Sequence, residues 1–89
     1  MHNDKHGVCP VCGFRGLSEP AYDEHGGASF EICPCCGTEF GYDDAGRSHY
    51  ELRLRWIAAG SPWSDRDISP PADWNALRQM QEAGLDQGL

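Results

Sequence analysis

The chain has 89 residues, a formal charge of −7 and no run approaching the ~18 apolar residues that a membrane helix needs. Only 39% of it is apolar, and Gly (11) and Pro (6) are in excess, so hydrophobic packing alone is a poor basis for holding so short a chain together. Five cysteines are the obvious source of the missing stability, and an odd, closely paired set fits metal ligation in a reducing compartment better than a disulfide framework.

The charge is unevenly spread. Residues 1–46 set Lys5 and Arg15 against eight acidic residues, net −6, whereas residues 47–89 set five arginines against six acidic residues, net −1. No basic stripe is present to neutralise phosphates, which argues against a nucleic-acid partner. Residues 1–6 lack the basic-then-apolar order of a signal peptide, so a flexible lead-in on a cytoplasmic protein with no membrane partner is expected.

Residues 7–46 carry every cysteine and read as a metal module. Cys9-Pro10-Val11-Cys12-Gly13 and Cys33-Pro34-Cys35-Cys36-Gly37 repeat one pattern, C-P-x-C-G, with 20 residues between Cys12 and Cys33. Two residues between cysteines let both sulfurs reach one ion, and the spacer lets a second pair complete a tetrahedron. The glycine after each second cysteine permits a backbone conformation that turns amide groups toward sulfur, and the proline fixes φ inside the turn. Cys9, Cys12, Cys33 and Cys36 are thus the expected ligands of one structural Zn2+, with iron as the alternative occupant. Cys35 falls in the variable slot, its side chain expected to point away from the ion. It reads either as a small, partly exposed filler or as a reactive thiol, although no nearby Lys or Arg depresses its pKa.

Between the two motifs, 20–27 reads as a loop and 28–32 alternates apolar and polar residues as a half-buried strand does. With four cysteines in place, His2, His6, His25 and His49 have no vacancy to fill and read as solvated or packed. Glu39, Asp43 and Asp44 do not follow a calcium-loop pattern, and are expected to be a solvated face or partners of Arg47, Arg53 and Arg55.

A helix is expected over 49–59, because Ser48-His49-Tyr50-Glu51 matches a capping box and Gly60 stands where a C′ glycine belongs. Tyr50, Leu54, Ile57 and Ala58 project to one face and Leu52, Trp56 and Ala59 to the other, so the helix should lie between the metal module and the C-terminal segment. After a proline-bearing connector over 61–72, a second helix is expected. Asp73 would cap it, Trp74, Leu77 and Met80 would form a narrow apolar stripe, and Gly84 would end it. Trp56, Trp63 and Trp74 read mainly as core, with an interface anchor as the alternative. The chain has no nucleophile elbow, phosphate loop or H-E-x-x-H, and is expected not to be an enzyme.

The motif form resembles the knuckles of zinc ribbons and rubredoxins. The longer succession of C-P-x-C-G, an acidic loop, S-F-E-I-C-P-C-C-G, E-F-G-Y-D-D, a Tyr- and Trp-bearing helix and Pro-Pro-x-x-Trp resembles the bacterial cysteine-rich CPCC family over residues 8–80, most specifically over 32–44. In many members the doubled cysteine lies in the first knuckle, whereas here it lies in the second. The resemblance implies a small α+β metal-stabilised domain with short strands and one or two helices, in which 47–89 packs on 7–46. The function expected is that of a non-enzymatic zinc-binding module for an unidentified protein partner. An immunity-type inhibitor of a bacterial toxin and a rubredoxin-like iron electron carrier are the alternatives.

Overall fold

The computed structural model describes residues 7–87. The expected lead-in over 1–6, with His2 and His6, lies outside the described residues. Two cysteine loops meet, and segments of 47–87 pack against them.

The two loops have the same backbone. Cys9 N–H donates to Phe14 O at 2.7 Å and Gly13 N–H to Cys9 O at 2.9 Å, while Cys33 N–H donates to Thr38 O at 2.9 Å and Gly37 N–H to Cys33 O at 2.8 Å. Gly13 and Gly37 close these turns at φ 87° and 80°, where a β-carbon is disfavoured. Both glycines also sit under the rest of the chain: a β-carbon on Gly13 would come within 2.9 Å of Ala83 Cβ, and one on Gly37 within 2.6 Å of Ser64 Oγ.

The strand expected over 28–32 is not formed. Among the described residues only two isolated antiparallel bridges occur, Tyr22 with Ala28 and Ile32 with Glu39. Phe30 lies between them at φ 61°, a left-handed conformation that interrupts an extended run. The α+β expectation is therefore met in its helices and its cysteine cluster, and not in strands.

Helix α1 spans His49–Ala58, and Ser48 Oγ accepts from Glu51 N–H at 3.0 Å as the capping pattern implies. Its end is a Schellman motif, with Ser61 N–H on Trp56 O, Gly60 N–H on Ile57 O and Gly60 at φ 97°. Helix α2 spans Ala76–Glu82 and ends the same way, Leu85 N–H bonding Met80 O and Gly84 N–H bonding Gln81 O. Its cap is Asn75, whose Oδ1 accepts from Arg78 N–H at 2.8 Å, so Asp73 stands two residues too early for that role. Met80 is buried, but Leu77 is exposed, leaving α2 a narrower apolar face than expected.

The burial of α1 also differs from the two-faced expectation. Tyr50 and Leu54 are exposed, and the buried residues are Arg53 and Trp56, with Leu52 and Ile57 half-buried beside them. One face, not two, is covered. Its centre is an arginine: Arg53 Nε donates to Val11 O at 2.7 Å and its Nη2 to Pro10 O at 2.8 Å, fastening α1 to the first cysteine loop.

Trp56 is buried, Trp63 and Trp74 are half-buried against the core, and all three have bonded indole N–H groups. Trp56 Nε1 donates to Pro62 O, Trp63 Nε1 to the carbonyls of Asp65 and Ile68, and Trp74 Nε1 to Gln79 Oε1. Trp63 packs edge-on between Phe14 and Trp74, at centroid distances of 5.6 and 5.5 Å. No helix among the described residues is long and apolar enough to cross a membrane.

Removing the Arg53 fork without removing its bulk leaves two carbonyls of the first loop unpaired. Arg53→Met is expected to destabilise the metal-loaded protein by about 2 to 3 kcal/mol, seen as a fall of about 10 °C or more in thermal midpoint. Arg55→Met, at an exposed position of the same helix, should change stability by less than about 0.5 kcal/mol. Equal shifts in the two variants would refute the anchoring role.

Candidate metal centre

The repeated loop geometry brings Cys9, Cys12, Cys33 and Cys36 together, with all four Sγ atoms within 4.8 Å of one another. The closest approaches run between the loops: Cys9 Sγ to Cys36 Sγ is 3.8 Å and Cys12 Sγ to Cys33 Sγ is 3.7 Å. A disulfide would need about 2.05 Å. A zinc tetrathiolate with Zn–S near 2.3 Å has sulfur–sulfur edges of about 3.8 Å, so these distances suit a tetrahedral ion and not a covalent bridge. Each sequence-predicted ligand is present in the cluster, and all but the partly exposed Cys36 are buried.

Local donors face the sulfurs. Val11 N–H points at Cys9 Sγ at 3.4 Å, and Thr38 Oγ1 lies 3.2 Å from Cys36 Sγ. Such contacts favour thiolate over thiol, yet four thiolates so close together repel one another. Hydrogen bonding to Cys33, then to the other sulfurs, pushes the Cys12 thiol far above its ordinary value, and burial adds to the rise. The contacts with Cys12, Cys33 and Cys9 pull Cys36 far down instead. Without a cation the cluster therefore shares protons, and a divalent ion must displace them to be held by four thiolates.

Cys35 is buried completely, not partly exposed as the filler reading has it, and it stands outside the four-sulfur set. Gln79 Nε2 reaches its Sγ at 3.4 Å and also donates to Cys12 O at 2.9 Å. One amide of α2 thus touches both cysteine loops. On the other side of the second loop, Ser64 N–H donates to Cys35 O at 2.9 Å and Asp65 N–H to Pro34 O at 2.8 Å.

Neither described histidine reaches the cluster. His25 is exposed, and His49 Nε2 lies 2.8 Å from Asp44 Oδ2. That carboxylate also accepts from Tyr22 Oη and, through Oδ1, from Gly41 N–H at 2.7 Å. Burial alone would raise the Asp44 pKa, but the bonds from Tyr22, His49 and Gly41 outweigh it and hold the carboxyl below its usual range. The Asp44 side chain is only 1% exposed, which overturns the expectation of a solvated acidic face there. Nor do the arginines pair with these acids: Arg47 and Arg55 face Glu51, and Arg53 bonds backbone carbonyls.

Arg53, Gln79 and Thr38 contact the cysteine loops, Asp44 ties Tyr22, His49 and Gly41 together, and none was singled out for these roles from sequence. An arginine among exposed neighbours on a helix reads as surface, and nothing local distinguishes Gln79 from Gln81.

No family model matches the chain, and no solved structure matches it. Two proteins of Bacillus subtilis are similar to part of it. Uncharacterized protein YoaQ is 42% identical over 50 residues, covering 55% of this chain and 39% of that protein. Uncharacterized protein YozI is 40% identical over 39 residues, covering 42% of this chain and 32% of its own length. The matching segments thus span well under half of either relative.

Ligand and non-ligand cysteines should separate on substitution. Cys12→Ser is expected to lose most metal from the purified protein, whereas Cys35→Ser should retain it, because its hydroxyl can still accept from Gln79. Retention of full metal content by Cys12→Ser, measured by elemental analysis, would refute the ligand set. Because protons held on the raised thiols must leave as metal enters, apparent metal affinity should fall on acidification, about tenfold per pH unit for each proton displaced. Competition with a chelator at two pH values checks the sign.

Proposed function

We propose that the protein is a non-enzymatic module in which one structural Zn2+ on Cys9, Cys12, Cys33 and Cys36 fixes the shape of a protein-binding surface. The four convergent sulfurs, with cross-loop separations of 3.7 and 3.8 Å, carry this reading. Four protein ligands fill a zinc tetrahedron, leaving no position at which the metal can activate water or substrate, which is the pattern of structural sites. Thiolate donors suit zinc and iron alike, and the structural role needs no electron partner.

A cytoplasmic location belongs to the same reading, supported by five cysteines of which none is joined in a disulfide. Membership of the CPCC family is likewise part of it, supported by the motif succession. The net charge of −7 supports a protein partner over a nucleic acid or an anionic lipid surface. An immunity-type role, blocking a toxin, is one form such a module can take.

The metal as isolated is the deciding measurement. Elemental analysis should find one zinc per chain and no visible absorption. A strong chelator should abolish the native near-ultraviolet signal, with recovery on adding zinc, since zinc-site formation of about 10 to 16 kcal/mol rivals a whole domain's stability of about 5 to 15. Stoichiometric iron with the visible bands of a ferric tetrathiolate would overturn the zinc assignment and favour an electron carrier. A fold unchanged by chelation would overturn the structural role.

A further inference from the structure

Three large apolar side chains stand out from the metal module: Phe30 is 62% exposed, Ile32 58% and Tyr42 72%. All three lie on or next to the paired segments 30–32 and 39–41. The antiparallel bridge between Ile32 and Glu39 sets those two residues side by side, and the bond from Phe40 N–H to Glu31 O carries the register onward, bringing Phe30 opposite Gly41. The Phe30 ring lies so close that a β-carbon on Gly41 would come within 2.6 Å of its Cε1. Tyr42 is the next residue.

Phe30 is held at φ 61°, where a residue with a β-carbon is disfavoured, while most of its ring faces water. Neither backbone preference nor burial explains a phenylalanine at this position. Aromatic side chains are the usual anchors of protein interfaces, because each removes a large area from water on docking.

The segment that carries these three residues has charged side chains of one sign. Residues 16–46 contain seven Asp and Glu residues and no Lys or Arg. Glu39 stands beside Ile32 through the bridge, and Glu31, whose carboxylate accepts from Ser18 N–H, lies between Phe30 and Ile32 in the chain. We propose that Phe30, Ile32 and Tyr42 form a docking surface for a protein that presents lysines and arginines around an apolar pocket. Resting on the protein-binding reading above, it names the surface and the chemistry of the partner. The three apolar side chains supply contact area, and the acidic segment steers the basic partner and repels acidic ones.

Phe30→Gly gives a clean test, because glycine accepts a φ of 61° and should keep the fold while deleting the anchor. The zinc-loaded full chain is used to select from a displayed library of random peptides, and the enriched sequences are synthesised and titrated. Peptides combining net positive charge with aromatic or branched aliphatic residues are expected. Their affinity should fall at least tenfold for Phe30→Gly at unchanged zinc content and thermal midpoint, and should weaken as salt rises. Ile68→Ser, at an exposed apolar position outside the module, should change it less than twofold. Neutral or acidic winners, equal losses in both variants, or no loss in Phe30→Gly would overturn the surface. In the last case binding elsewhere would leave the protein-binding reading standing. If a chain shown by chelation to be zinc-folded enriches no peptide, the surface and its partner fall while the structural metal remains.

Discussion

Four sulfurs within 4.8 Å of one another, mostly buried, cannot all be ionised unless a cation joins them. That constraint organises the whole molecule. Cysteines supply four of the ten buried apolar residues among those described, three of them from the four-sulfur cluster, so the apolar core is built around that cluster. Helices α1 and α2 do not pack on each other. Each is attached to a cysteine loop instead, α1 through Arg53 and α2 through Gln79 and the close approach of Ala83 to Gly13. The connector joins the second loop through Ser64 and Asp65. A chain with little apolar mass thereby obtains one shared anchor point, and loosening the two loops would release three separate segments at once.

Four thiolates on a divalent ion leave a net charge of about −2 in a site with little water to screen it. The chain offsets this with dipoles and with one remote cation. Val11 N–H and Thr38 Oγ1 approach the sulfurs directly. Arg53 is buried with its guanidinium on the carbonyls of Pro10 and Val11, within the loop that holds Cys9 and Cys12. Its burial is tolerable because both carbonyls pair with it and because a negative site lies close by. This accounts for an arginine at the centre of an interface that periodicity assigns to leucine and tyrosine.

The four-cysteine grouping was legible in the sequence, because C-P-x-C-G encodes a local turn that needs no tertiary context. Both ends of α1 and the C-terminal end of α2 were legible for the same reason: Ser48, Gly60 and Gly84 act within their own neighbourhoods, whereas α2 is capped by Asn75 and not by Asp73. What failed to show were long-range polar contacts. Apolar periodicity assumes that helices bury hydrophobic residues, yet α1 docks through Arg53 onto carbonyls more than 40 residues away. The alternation at 28–32 has a strand's pattern but not its backbone, since Phe30 turns left-handed between two bridges. Cys35 was read in the right slot, but its complete burial depends on Gln79, which no local signal connects to it.

The acidic excess of the metal module divides into two parts with different physical meanings. Without ladders of strand hydrogen bonds, the loops need other acceptors for their amides. Asp23 takes the N–H groups of His25 and Gly27, Glu31 that of Ser18, Asp43 that of Glu39 and Asp44 that of Gly41. These four carboxylates serve the fold, in the way that Asx-type caps replace secondary structure in turns. Among the described residues, Glu19, Glu24 and Glu39 accept no such bond, so local structure gives no reason for their charge. Glu39 sits beside Ile32. The carboxylates that the fold does not use thus include Glu39, beside an apolar side chain that the fold leaves uncovered, as expected if both are kept for a basic partner rather than for stability.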